Sequence, residues 1–230
     1  MVRAVCFDLF ETLVTESVTR PPGVSSLAPS LGCEREAFRT HWKAVRPGVV
    51  VGRLSFRQAL SDVAAACGSH VDAAALQRIC DERVRTKARP FQEVEHHVVM
   101  MVDALRRRGL RLGVISNCCA EDVTAWPECD LAARVDCAVF SFDVGTAKPD
   151  AEIYLDAARR LGVAAADAWF IGDGADQELA GAEQAGLRAF QARWFLRRWP
   201  HWQENAGSGA GLANVEDVLR LVERSTSGPG

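Results

Sequence analysis

Separated stretches of this chain carry the residues able to do chemistry. Asp8 stands between Val5-Cys6-Phe7 and Leu9-Phe10-Glu11-Thr12-Leu13. Ser116 and Asn117 follow Gly113-Val114-Ile115. Lys148 lies in Ala147-Lys148-Pro149-Asp150, and Asp173 closes Phe170-Ile171-Gly172-Asp173. Each polar group sits at or near the end of an apolar run, where an open parallel sheet presents its binding groups. A carboxylate such as Asp8 can attack an electrophilic phosphorus or carbon, giving a covalent aspartyl intermediate that water then opens. The Ser116 hydroxyl and adjacent backbone N–H groups can bind anionic oxygens. A cation at Lys148 beside Asp8 would keep it ionised, offset its repulsion from an anionic substrate and bind that substrate. Asp173 beside Asp8 would be repulsive unless a cation lay between them. A hard divalent ion with oxygen ligands, Mg²⁺ above all, is the natural solution. Singly, each residue has a plainer reading: a cap or surface Asp, a Ser-Asn turn, a solvated Lys. Their joint occurrence is what points to one site.

The elements that must hold these residues follow from the pattern. Val2 to Phe7 is a nearly continuous apolar run, as a buried strand requires. Further strands are expected at Leu110–Ile115, Cys137–Phe140, Ala168–Ile171 and Leu187–Ala192. Helices are expected at Val94–Arg108, stopped by Gly109, and at Ala151–Leu161, Glu178–Ala185 and Val215–Glu223. Strand alternating with helix implies an α/β fold, a Rossmann-like parallel sheet with helices on both faces. Before that region, Arg20 to Gly23 breaks regular structure, and helices follow at Glu34–Arg46, Ser55–Cys67 and Asp72–Thr86, with Lys87–Pro90 closing the stretch. We read 15–88 as an inserted helical cap domain and 1–14 with 89–230 as the α/β core. Gly207 to Gly211 reads as a loop, and Ser225 onward as a frayed tail.

The bulk numbers bound the partners. A chain of 230 residues with 48% hydrophobic content suits a core with a smaller insert. A net charge of −3 gives no global basic field to attract nucleic acid. The chain opens directly on a strand-like run, without a signal peptide or long apolar span, so the expectation is a cytoplasmic protein, off the membrane, with its eight cysteines reduced. Their spacing fits no zinc pattern. The segment Arg193–Trp202 mixes basic and aromatic residues. Half-buried rings covered by Arg stems, or a subunit contact, explain it better than base stacking on an acidic protein. His96-His97 reads as surface or packing, and Met100-Met101 as core.

Together these stretches resemble the haloacid dehalogenase superfamily of aspartate-nucleophile hydrolases. Asp8 with Thr12-Leu13, Ser116-Asn117, the run from Ser141 to Tyr154 around Lys148, and Gly172-Asp173 through Glu178 match its motifs in order over about residues 2–14 and 90–192. The resemblance implies Asp8 as nucleophile, Lys148 as its cationic partner, and Thr12, Ser116, Asn117 and Lys148 at the substrate. It implies Mg²⁺ held by Asp8, the Phe10 carbonyl and Asp173, with Glu178 behind them. It also implies that the insert is a small C1-type helical cap that selects a small anionic metabolite, in a monomer or homodimer. Lys43, Arg46 and Arg53 are cap charges that could contact substrate, though charge on such a helix is more often a solvated face.

One position departs from the pattern. Superfamily phosphatases carry a general acid/base Asp two residues after the nucleophile; here that residue is Phe10. Such a group typically contributes about 10²–10⁴-fold. Three readings stay open. The first is a Mg²⁺-dependent phosphohydrolase whose proton is handled elsewhere, with Glu11 the nearest candidate. The second is a metal-independent 2-haloacid dehalogenase, since halide leaves without a proton, though Asp173 would then be unfavourable. The third is a non-catalytic, phosphate-ligand-binding regulatory protein.

Overall fold

In the first strand, β1 (Ala4–Phe7), every residue is buried, as a central parallel strand covered on both faces requires. Ala4 and Cys6 join the core on one face, Val5 and Phe7 the core on the other. β2 (Arg111–Ser116), β3 (Cys137–Phe140), β4 (Ala168–Gly172), β5 (Arg188–Ala192) and β6 (Gly211–Leu212) complete a six-stranded parallel sheet in the order β3-β2-β1-β4-β5-β6. The strand order reverses at β1, so a crevice opens beyond the carboxyl ends of β1, β2 and β4. This computed structural model describes residues 1–17, 23–199 and 211–226.

Between β1 and β2 the chain forms α1 (Arg35–Val50), α2 (Phe56–Ala66), α3 (Ala73–Gln92) and α4 (His96–Arg107). α5 (Ser141–Val144) and α6 (Ala151–Leu161) follow β3, α7 (Glu178–Gln184) follows β4, and α8 (Val215–Thr226) follows β6. Val98, Met101 and Leu105 of α4 and Val218 and Val222 of α8 pack with Val5, Phe7, Val114 and Ile171 on one face. Ile153, Tyr154 and Ala157 of α6 and Ala182 of α7 pack with Cys6, Ile115 and Phe170 on the other. The chain thus adopts the α/β, Rossmann-like arrangement expected from its alternation.

α1 to α3 bury a core of their own, with Phe38, Phe56, Leu60, Val63 and Leu76 at its centre. Ser55 and Asp72 cap α2 and α3 by accepting from Gln58 N and Ala75 N, as their positions predict. Two of these helices run further than expected. α1 continues through Pro47 to Val50, and α3 through Pro90 to Gln92 instead of closing at Lys87–Pro90. A proline forfeits one helical hydrogen bond, but the added turns bury Val49 in the core of the inserted helices and Phe91 in the main core. Position 88, where the cap was expected to end, therefore lies inside α3.

The insert is tied to the core on several sides. The Ser141 hydroxyl donates to the Val50 carbonyl at 2.7 Å. Gly52, with φ +69°, lies so close to Phe142 that a Cβ would stand 2.0 Å from its carbonyl oxygen. Arg83 pairs with Asp122 and Lys87 with Glu16, each at 2.6 Å in half-buried settings, whereas the Arg46–Asp176 pair at 3.2 Å is exposed.

Other differences are local. α5 and β6 are too short to show periodicity, and Gly211 pairs in β6 instead of joining a loop. Ser225 continues α8 instead of fraying. Met100 is exposed while Met101 is buried. Residues 20–22, 200–202, 207–210 and 227–230, on which further expectations fell, lie outside the described residues. All eight cysteines are free thiols, and Cys118 and Cys119 are both buried. Among the described residues, no helix is long and apolar enough to cross a membrane.

Candidate active site

Asp8 is the first residue past β1, and its N–H donates to the Ile171 carbonyl of β4 at 2.8 Å. That bond extends the sheet by one residue and fixes where the side chain emerges. The Lys148 ammonium contacts Asp8 Oδ1 and lies 2.5 Å from Glu178 Oε2. Lys148 is itself fixed through its backbone: Asn117 Nδ2 donates to its carbonyl and its N–H donates to Asn117 Oδ1, both at 2.8 Å. Asn117 was expected at the substrate; its amide is committed mainly to holding Lys148.

Asp173 follows β4, and its Oδ1 accepts from Ala175 N at 2.8 Å. Glu178 opens α7 and is 1% exposed; its Oε1 accepts from Gly174 N at 2.9 Å. Gly172 makes room for it, since a Cβ there would stand 2.1 Å from Glu178 Oε1. The reading of the sequence did not single out that glycine, because only the fold brings residue 178 back over residue 172. Asp8, Asp173 and Glu178 can offer carboxylate oxygens within 4.8 Å of one another.

This clustering governs the charges. Burial, and then the Glu178 charge, pushes the Asp8 carboxyl up to about 7 even with Lys148 against it. Burial and the nearby Asp8 push Asp173 up to about 6, and burial also raises Glu178. Burial alone would lower Lys148, but Asp8 and Glu178 outweigh it and keep the ammonium protonated. Three acids thus share one fixed cation. An all-oxygen donor set with surplus negative charge fits a hard divalent ion such as Mg²⁺.

Asp8, Phe10, Glu11, Ser116, Asn117, Lys148, Asp173 and Glu178 line one cavity of about 130 Å³, together with Ala175 and Asp176. Thr12 is buried beside it, with its hydroxyl 3.5 Å from Asp8 Oδ2. The core residues given nucleophile, cation, substrate or metal roles from sequence therefore lie in or against the cavity. Lys43, Arg46 and Arg53 do not line it; Arg46 pairs with Asp176, which does. Asp176 has φ +49° and also accepts from Asn117 Nδ2 at 3.4 Å. A larger cavity of about 500 Å³ beneath α3, lined by Val24, Leu27, Arg83 and Lys87 among others, lies apart from these acids.

Phe10 and Glu11 behave differently from the acids. The Phe10 ring meets Phe91 edge-on at 5.9 Å, and Lys87 Nζ lies 4.8 Å from its centroid. Glu11 was the nearest candidate to handle the proton. Its carboxylate accepts from the Thr15 hydroxyl at 2.8 Å, Glu16 N at 2.7 Å and the Trp199 indole at 2.7 Å. Both oxygens are engaged in holding the loop.

Among curated proteins, a glyceraldehyde 3-phosphate phosphatase of Methanopyrus kandleri is 31% identical over 99 residues, covering 42% of each chain. A Mycobacterium tuberculosis phosphatase is 34% identical over 112 residues, covering 48% of this chain and 51% of the other. The chain thus spans about half the length of the curated relatives it matches. Among solved structures, a 2-haloacid dehalogenase from Pseudomonas syringae superposes with a TM-score of 0.68 at 24% identity, over 98% of this chain and 100% of that one. A phosphatase of the same superfamily from Thermococcus onnurineus gives 0.61 at 17%, over 96% and 98%. At such identities these two likenesses establish the fold alone. The model of the haloacid dehalogenase-like hydrolases matches residues 2–186, most of the chain, and makes this chain a member of that family.

Proposed function

We propose that the chain is a Mg²⁺-dependent phosphohydrolase that moves a phosphoryl group from a small phosphorylated metabolite to Asp8 and then to water. The observation that carries this reading is the cluster of Asp8, Asp173 and Glu178 around Lys148. A dehalogenase needs no such surplus of acid, whereas a cation-assisted phosphatase uses it. The two curated relatives described above, matched over about half their length, are named phosphatases.

In this reading Asp8 attacks phosphorus and forms an aspartyl phosphate. Lys148 stays protonated, favours the ionised form of Asp8 and neutralises the incoming anion. The Ser116 hydroxyl faces the phosphoryl oxygens, with Thr12 beside the nucleophile. Mg²⁺, when bound, supplies the charge that lets two acids and a phosphate share the crevice. Asp8, the Phe10 carbonyl and Asp173 would hold it, with Glu178 in support. Phe10 offers no proton, and Glu11 is occupied by three donors. The reaction therefore favours leaving groups that need little protonation, such as acyl phosphates, anhydrides and aryl phosphates.

Phe10 also favours a second reading, 2-haloacid dehalogenation, because halide departs without a proton. One screen separates them: aryl and acyl phosphates and 2-haloacids, each assayed after EDTA treatment and after Mg²⁺ is restored. Phosphate turnover that EDTA abolishes and Mg²⁺ returns is the expected result. Haloacid turnover indifferent to EDTA would overturn it. Binding of a phosphate mimic without any turnover would assign the chain to ligand binding instead.

A further inference from the structure

The basic and aromatic segment after β5 reaches back to the loop that carries Asp8. Trp194 is buried, and its indole N–H donates to the Thr12 carbonyl at 2.9 Å. Trp199 donates to Glu11 Oε2 at 2.7 Å. Arg198 lies over Phe195 at 4.9 Å and grips both oxygens of Glu95, just before α4, which anchors the segment to the core. Glu11, which takes the second indole contact, adopts φ +58°, a left-handed conformation strained for a residue with a Cβ. Such a conformation persists where its surroundings over-determine it. Here three donors converge on the Glu11 carboxylate, and charge-assisted bonds of this kind are the strong ones.

We propose that Trp194 and Trp199 are positioning residues for the nucleophile. They fix the backbone from Phe10 to Thr12, and through it the aim of the Asp8 carboxylate and the Phe10 carbonyl. Glu11 is the handle they hold, not an acid or base. This rests on the aspartyl-attack reading above, and the test below separates the two.

Trp199→Phe keeps an aromatic ring and removes the donor. In the full-length chain, kcat on an aryl phosphate falls about tenfold with KM within twofold, because a misaimed nucleophile loses rate before binding. Amide hydrogen exchange at residues 9–16 rises while that of α4 is unchanged. The double variant Glu11→Ala with Trp199→Phe turns over no more slowly than Glu11→Ala alone. Glu11→Gln lowers kcat but keeps the shape of the pH–rate profile. Wild-type kcat and exchange in Trp199→Phe would overturn the proposal, as would loss of a limb of the pH profile in Glu11→Gln, which would make Glu11 the acid or base. A parent protein inert to the whole substrate screen defeats the aspartyl-attack reading instead. The exchange measurement then decides the positioning role by itself, and unchanged protection in Trp199→Phe rejects it.

Discussion

On one flank of Asp8 stand Lys148, Asp173 and Glu178; on the other stand Phe10 and Glu11, backed by Phe91, Trp194 and Trp199. The first flank is nearly all charge. Its acids are raised by burial and mutual repulsion, and its one ammonium bridges two of them. The second flank is nearly all ring and hydrogen bond, with its carboxylate held by three donors. An acid left with surplus negative charge awaits a cation or a substrate; an acid held on both oxygens by donors of its own loop and a distant indole holds shape. Two glutamates in one cavity thus divide into one that tunes charge, Glu178, and one that ties a loop, Glu11.

The division can be broken first at its centre. Asp8→Asn keeps the size of the side chain and removes the nucleophile. Turnover is expected to fall by about 10⁴-fold or more, with unchanged circular dichroism. Activity that survives would exclude aspartyl attack and leave the charged flank with a binding role only.

Phe10→Asp tests the aromatic flank. It places a proton carrier where the ring stands, next to Lys87 Nζ. On alkyl phosphates kcat is expected to rise roughly 10²-fold, the lower end of what a positioned acid contributes, and on aryl phosphates hardly at all. Equal effects on both classes would show that the ring is not the deficit.

The smallest effect is a stability one. The Asp173 carboxyl is pushed up from 3.8 to about 6 in the fold, by burial first and Asp8 second. A carboxyl raised on folding holds protons that the unfolded chain releases, so metal-free stability declines as pH rises from about 4 to about 6. Asp173→Asn removes that penalty. With EDTA present, the variant is expected to exceed its parent by roughly 1–3 kcal/mol above pH 6 and to match it below pH 4, as read from urea unfolding. An advantage that persists at pH 4 would place its cause in packing, not charge.

The core was largely legible in the chain. Apolar runs of the right length fixed β1 to β5, and glycines after helical runs fixed where α4 and α6 stop. The same runs ended at Asp8, Ser116 and Asp173, which is why their convergence could be anticipated. Where prolines suggested an end, at Pro47 and Pro90, the helices continue. Burial of Val49 and Phe91 outweighs one lost hydrogen bond, and burial is a tertiary quantity.

Local pattern by itself determined β1 to β5, most of their helical cover, and the polar groups Asp8, Ser116 and Asp173 at the strand ends, because periodicity and motif spacing are properties of neighbours along the chain. It left the use of each group undetermined. The folded arrangement decided that Asn117 holds Lys148, that Gly172 clears a place for Glu178, and that Trp199, 188 positions beyond Glu11, donates to that residue's carboxylate. A side chain's chemistry depends on which donors and charges surround it, and only the folded chain brings those together.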